Sequence, residues 1–307
     1  MASPHTVAVV LNPKAHNADQ IDAGGIQRRL EQSGYVPEVV VPDSLEASLA
    51  AIQATVERND ERVFVAGGDG TLRIAAKILA GTQTALAPIP AGTANVLAKE
   101  LGIQKGWNEA IDEHLTGQVR EMDVGWAGDE PFLLMASIGW DADVAAHVNL
   151  AIKDRVGAAA YALSAVKRLR GLSVPKSVRG SIDHREADGA FSLLVLGNTR
   201  NYGGIVEFTP DAIADDGVFD LCGVAPDSLW REVQFAGRLL FNRLKEGEWV
   251  RRRQASDVHI ETPDVPVQVD GDVIGTTPMH FTIAHQALKV SIPPGDLPPI
   301  FSQPATG

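Results

Sequence analysis

The chain has 307 residues, is 45% hydrophobic and carries a formal net charge of −12, so it can bury a substantial core and its length favours two domains. Surplus acid excludes a general nucleic-acid binder, because phosphate backbones reward Lys and Arg, and the single Cys222 excludes an intramolecular disulfide framework. No run reaches the roughly 18 to 20 apolar residues of a membrane span, and the N-terminus has neither a basic n-region nor a long apolar h-region, so a cytosolic location is expected.

Short β-branched runs at Thr6–Asn12, Pro37–Val41, Arg62–Ala66 and Ala85–Pro90 read as strands. Helical spacing of apolar residues marks Ala18–Ser33, Leu45–Arg58 and Thr71–Leu79, and a further helix, Thr93–Leu101, follows the last strand. Regular alternation of strand and helix predicts parallel strands with right-handed crossovers, hence a doubly wound α/β domain over 1–121. After Glu121 the pattern changes to closely spaced alternating segments, including "VRGSIDHRE", "AFSLLVLGN", "VFDLCGV", "DVHIET", "VPVQVDG" and "MHFTIA". Their Gly, Pro and Asp turns predict an antiparallel β-sandwich over 122–291, interrupted by helical inserts at 141–172 and Ser228–Leu244. The proline-rich tail, 292–307, is expected to return to the first domain.

"VFVAGGDGTLRIAAKILAG", Val63–Gly81, places three glycines and an aspartate where a strand runs into a helix. Open α/β sheets bind ligands at such strand ends. Gly67, Gly68 and Gly70 let a bulky anion approach the backbone, and the helix start offers N–H groups and a positive dipole end. Asp69 is either the N-cap of a plain turn or a carboxylate that works beside phosphate through a divalent cation or by taking a proton. "PIPAGTANVLAKELG", Pro88–Gly102, repeats the arrangement with Gly92, Thr93 and Asn95, and Asn12 ends the first strand. Three anion-competent strand ends argue for one phosphate-binding crevice. "VDGD" at Val269–Asp272 and "ADDGVF" at Ala214–Phe219 read as turns, the second rich in the oxygen ligands a hard cation prefers.

These segments, with "VVLNP", "SIGWDADV", "PDAIADDGVFDL" and "ALKVSIP", resemble the diacylglycerol kinase-like lipid kinases, a family that includes bacterial lipid kinases, sphingosine kinases and ceramide kinases. The resemblance runs through nearly the whole chain. It implies an N-terminal domain like that of NAD kinases and phosphofructokinases, a β-sandwich substrate domain, and ATP- and Mg²⁺-dependent phosphorylation of a lipid primary hydroxyl such as that of diacylglycerol. It implies that Asn12, Gly67, Gly68, Asp69, Gly70, Thr71, Leu72, Arg73, Gly92 and Thr93 line the ATP site. Asp270 matches the general base, and Asp216 matches a ligand of structural Mg²⁺, with the carbonyls of Ile213 and Val218. Asp69, with Asp123 and Asp141, is expected to form an acidic network around the catalytic Mg²⁺. Departures from the family pattern include Ile74, where relatives commonly have Glu or Asn, and a first loop, "NPKAHNAD", without glycine. The alternatives are a NAD kinase, which shares "GGDGT", and a non-catalytic nucleotide- or lipid-binding regulator of the same fold.

A C16 acyl chain in water costs on the order of 13 kcal/mol at about 0.8 per CH₂, so a lipid kinase must work at a membrane or offer an apolar cleft. Eight basic and two acidic residues fall between Ala151 and Arg185. Lys167, Arg168 and Arg170 within this stretch, and the amphipathic segment Val156–Leu172, are expected either to form a solvated helix face or to meet anionic lipid. The partner expected is therefore a lipid substrate at an anionic membrane surface, reached by peripheral association with its inner face, with a homodimer left open and nucleic acid excluded.

Overall fold

The computed structural model describes residues 5–103, 106–139, 176–202, 206–228, 230–231, 234–235, 238 and 244–302. The predicted insert 141–172, with Asp141, Lys167, Arg168 and Arg170, and most of the Ser228–Leu244 helix lie outside the described residues. The chain divides into two compact units, Met1–Val124 with Ile213–Gly217 and Ala284–Gly307, and Gly125–Ala212 with Val218–Ile283. The first unit thus includes 122–124, 213–217 and 284–291, which the sequence pattern assigns to the second domain.

In the first unit β1 (His5–Leu11), α1 (Ala23–Gln32), β2 (Tyr35–Val40), α2 (Leu45–Glu57), β3 (Arg62–Gly67), α3 (Asp69–Leu79), β4 (Ala85–Pro90), α4 (Val96–Glu100) and α5 (Trp107–Thr116) follow in order. The strands are parallel in the order β2-β1-β3-β4. All six residues of β3 are buried, as expected for a central strand covered on both faces. Val7, Val9, Leu11 and Phe64 pack with Ile26 and Leu30 of α1 and Ile111 of α5, while α2 and α3 pack together and onto β1 and β3. Two helices are shorter than their periodicity predicts. Only a 3₁₀ turn, Ala18–Gln20, precedes Ala23. The helix predicted from Thr93 begins at Val96, because Asn95 adopts a left-handed conformation with φ 47°.

His114 of α5 is fully buried, with Nε2 2.8 Å from the Pro88 carbonyl and Nδ1 2.9 Å from Ser291 Oγ. The carbonyl can only accept, so Nε2 carries the proton and Nδ1 accepts from the hydroxyl. Burial, opposed by the bond to Pro88 and aided by the Arg62 charge, lowers its pKa from 6.5 to about 4. A neutral native imidazole competes with an unfolded one that binds a proton below pH 6.5. Its contribution is therefore complete above that pH and is lost progressively towards pH 4, about 3 kcal/mol in all. Urea unfolding of wild type and His114→Gln between pH 7 and 4 should show a steeper acid loss in wild type; equal slopes would remove His114 as the cause.

The second unit begins within β5 (Gln118–Ala127) and continues through β6 (Glu130–Phe132), β7 (Met135–Gly139), β8 (Lys176–Ile182), β9 (Arg185–Phe191), β10 (Leu193–Gly197), β11 (Asn201–Tyr202), β12 (Val206–Glu207), β13 (Phe219–Val224), β14 (Val250–Ala255), β15 (Asp257–Ile260), β16 (Pro266–Val269), β17 (Asp272–Thr276) and the start of β18 (Met279–Ile292). One antiparallel sheet has the order β14-β13-β10-β7-β16-β17. The other runs from the Met279–Thr282 part of β18 through β15 and β8 to β9. Strand alternation divides the apolar side chains between two layers. Ile138, Leu194, Leu196, Phe219, Leu221 and Val267 face Phe132, Val178, Val258 and Phe281 across the sandwich, and Phe132 stacks on Phe219 at 5.4 Å. Met135, Leu193, Val195, Cys222 and Val224 form a second core with Phe235 and Trp249 on the outer face. Burial pushes the Cys222 thiol up to about 11, which leaves it un-ionised at neutral pH.

Candidate active site

In the first unit the strand order reverses direction at β1, whose neighbours are β2 and β3. The carboxyl ends of β1 and β3 therefore flank the position where open α/β sheets bind ligands. Asn12 leaves β1 there: its N–H donates to the Ala66 carbonyl at 3.0 Å and its Nδ2 to Thr71 Oγ1 at 2.8 Å. Thr71 in turn occupies the space beside Gly67, where a Cβ would lie 2.4 Å from Thr71 Cβ. The first loop is thus fixed to the start of α3 by side chains.

The two glycine loops touch each other. A Cβ on Gly92 would stand 2.5 Å from Gly68 Cα, and one on Gly68 3.2 Å from Gly92 Cα. Asn95 closes the second loop on itself, its Oδ1 accepting from Gly92 N at 2.7 Å and its Nδ2 donating to Gly92 O at 2.8 Å. Asn17 donates to the same carbonyl at 3.0 Å. Asp69 joins the loops: its carboxylate accepts from Val96 N at 3.1 Å and Leu97 N at 2.9 Å. These are the first amides of α4, which have no partner inside their helix, and a negative charge is favoured at that end. The sequence offered Asp69 as cap of its own helix or as a group beside a cation; its observed contacts cap the neighbouring helix, a positional role.

Gly70 lies half-buried in the first turn of α3, and Thr93 is exposed in the second loop. Leu72 and Arg73 are 1% and 8% exposed. The Leu72 side chain faces the core and its N–H is committed to Gly68 O at 3.1 Å, so it shapes the loop from beneath.

Of the expected network of Asp69, Asp123 and Asp141, the last lies outside the described residues. Asp123 is completely buried, and its carboxylate accepts from Gly217 N at 2.7 Å, Gln286 N at 2.6 Å and His285 Nδ1 at 2.9 Å. It ties three chain segments together. Among the described residues no three His, Cys, Asp or Glu side chains are grouped to hold a metal. In the turn that Asp123 secures, Asp216 is exposed and Ile213 half-buried, and half-buried Val218 follows directly. A carboxylate and backbone carbonyls are the oxygen donors a hard divalent cation takes.

Asp270 lies in the second unit, in the tight turn between β16 and β17, with φ 48° and Gly271 at φ 94°. Its carboxylate accepts from three successive amides, Leu133 N at 2.8 Å, Leu134 N at 2.9 Å and Met135 N at 3.0 Å, while its own N–H donates to Met135 O at 3.0 Å. Three N–H donors stabilise the charged carboxylate and fix its orientation. Gln268, fully buried, supports the turn by accepting from Gly271 N at 2.7 Å and donating to Ser137 Oγ at 2.9 Å. Asn198 holds the partner loop through Leu133 O at 3.0 Å. The sequence reading missed Asn17, Gln268, Ser137 and Asn198; the only signal was a polar residue inside or beside an apolar run.

Residues 6–127 match the diacylglycerol kinase catalytic domain, and 135–292 match the YegS C-terminal NAD kinase beta sandwich-like domain. The protein named diacylglycerol kinase in Mycobacterium tuberculosis strain H37Rv is 31% identical over 296 residues, covering 94% of this chain and 95% of that one. The chain belongs to the diacylglycerol kinase-like family of lipid kinases. In Pseudomonas putida strain KT2440 a protein named probable lipid kinase YegS-like is 30% identical over 307 residues, 99% of this chain and 100% of the other. A crystal structure of a diacylglycerol kinase from Bacillus anthracis strain Sterne has the same fold, with a TM-score of 0.74 at 23% identity over 96% of this chain and 99% of that one. This lipid kinase family member thus has the α/β and β-sandwich architecture that its sequence predicts. Among the described residues no helix is long and apolar enough to cross a membrane.

Proposed function

We propose that the protein is an ATP- and Mg²⁺-dependent kinase of a membrane lipid, with diacylglycerol as the acceptor. The observation that carries this reading is the pair of touching glycine loops at the strand ends, Gly68 against Gly92, locked by Asp69. Backbone amides at the start of α3 and bare glycine surface suit the triphosphate, with Asn12, Thr71 and Thr93 as hydrogen-bonding side chains. In the transfer the lipid hydroxyl oxygen forms a bond to the γ-phosphorus while the bond to the bridging oxygen of ADP breaks. The hydroxyl proton goes to the carboxylate of Asp270. A loose transition state demands little base strength, so a carboxylate held in place by three N–H donors suffices. Asp216, Ile213 and Val218 would hold a structural Mg²⁺, and the ion associated with ATP would supply charge neutralisation at the phosphates. The names of relatives sharing about 95% of their length support diacylglycerol, and such a substrate implies work at a membrane surface.

The test is Mg²⁺-dependent turnover of labelled ATP with diacylglycerol, phosphatidylglycerol, sphingosine and ceramide in mixed micelles, with NAD as a soluble acceptor. Phosphatidic acid should form from diacylglycerol, and no NADP should appear. Phosphorylation of NAD and of no lipid would overturn the proposal; transfer to another of the lipids would overturn diacylglycerol alone.

A further inference from the structure

In the second unit each sheet ends in an edge strand on the same side of the sandwich, β9 in one and β14 in the other. A cavity of about 850 Å³ opens between them, within the roughly 300–1,000 Å³ typical of ligand sites. Leu194, Leu221, Val258 and Ile260 of the inter-sheet core form its apolar wall. The space exists because Gly189 on β9 and Gly223 on β13 carry no side chains: a Cβ on Gly189 would meet nothing within 4 Å, and one on Gly223 only atoms 3.9 and 4.0 Å away.

The edge strand β14 reads Val250-Arg251-Arg252-Arg253, and its register assigns each arginine a face. Arg252 pairs with Cys222 of the outer core and donates to Phe208 O at 3.1 Å and Leu244 O at 2.9 Å. Arg251 and Arg253 pair with Gly223 and Leu221, so they share the inner face with Leu221 and border the cavity. Arg253 lies 3.5 Å from Asp183. The Arg251 side chain makes no hydrogen bond or ion pair among the described residues, and it stands beside the gap at Gly223. Glu246 and Glu248 lie at the rim, and Glu248 is engaged by Arg231 at 2.8 Å. Cations directed onto an apolar chamber are the complement of a molecule with a hydrocarbon chain and a phosphate.

We propose that this chamber is a second lipid site, which takes an acyl chain of an anionic membrane phospholipid between the sheets and its phosphate against Arg251 and Arg253. It is separate from the acceptor site. β14 and β16 are four strand spacings apart in the sheet order β14-β13-β10-β7-β16, which puts the Asp270 turn about 19 Å away at about 4.8 Å per strand. The site gives an enzyme of net charge −12 a local means of holding an anionic bilayer.

The test is equilibrium binding of radiolabelled dioleoyl phosphatidylglycerol and dioleoyl phosphatidylcholine to the full chain in detergent micelles. Wild type should retain phosphatidylglycerol at least about tenfold better than phosphatidylcholine. Gly223→Leu and Gly189→Trp, each filling the chamber from one wall, should lower phosphatidylglycerol binding about tenfold, and Arg251→Gln with Arg253→Gln should abolish the preference. Asp270→Asn should bind as wild type does. Equal retention of the two lipids by wild type would overturn the proposal. So would undiminished binding by either filled variant that keeps the wild-type unfolding temperature, since attraction would then reside in surface charge alone. Loss of binding in Asp270→Asn would place the lipid at the acceptor site and would equally overturn it.

Discussion

Asp270→Asn is expected to reduce lipid phosphorylation by at least about 10²-fold in kcat while nucleotide affinity stays near the wild-type value. The amide cannot take the hydroxyl proton, and it also disturbs the turn. With Oδ1 still accepting from Leu134 and Met135, the Asn Nδ2 replaces the oxygen that accepts from Leu133 N at 2.8 Å, so two donors face each other. A misplaced donor of this kind costs about 1–3 kcal/mol, which should lower the thermal midpoint without unfolding the chain. Steady-state kinetics, nucleotide titration and a melting curve on the same preparation separate the two effects. Near-normal kcat would remove Asp270 from proton transfer, and loss of nucleotide binding would show that the damage is not confined to the turn.

The second large effect is expected from Gly92→Ala. Its Cβ would stand 2.5 Å from Gly68 Cα and 2.9 Å from Asn95 Oδ1, and neither neighbour can retreat cheaply. Gly68 O accepts from Thr71 N at 2.9 Å and Leu72 N at 3.1 Å, and Ala91 N donates to Gly67 O at 3.0 Å. The loops must part, which breaks the Asp69 link or the Asn95 clamp. ATP affinity should fall about 10- to 100-fold, with a stability loss of about 1–3 kcal/mol. Gly68→Ala, at 3.2 Å from Gly92 Cα, should have the smaller effect of the two. A Gly92→Ala enzyme with wild-type ATP affinity would show that the contact between the loops is not what shapes the phosphate site.

The parallel sheet was legible because its strands are continuous β-branched runs separated by amphipathic helices, with local signals that need no partner. The loops were legible as loops for the same reason: glycine, aspartate and asparagine announce a turn. Their connections were not. Asp69 caps a helix that begins 27 residues later, and nothing near Asp69 names that helix. His114 has acidic and polar neighbours along α5, yet Pro88 and Ser291 enclose it. Asp123 reads as one more acid for a metal, and only the fold shows that it is an internal strut. Gln268 and Ser137 meet across 131 residues, a pairing set by sheet register. Strand alternation, invisible without the register, divides Arg251, Arg252 and Arg253 between two faces.

The first unit is completed only by Ile213–Gly217 and Ala284 onward, and this constrains the order of events on the ribosome. When Val124 has emerged, the buried carboxylate of Asp123 still lacks Gly217, His285 and Gln286, and His114 still lacks Ser291. Roughly 160 more residues must be made before Ala284 appears, which takes about 8 to 30 s at about 5–20 residues per second. During that interval the nascent α/β layer has its strands but not its closing contacts, so chains halted at Ile283 should be cut by protease within the first 124 residues where released full-length chains resist. The residues from Ala284 act as the latch of a sheet made about 160 residues earlier.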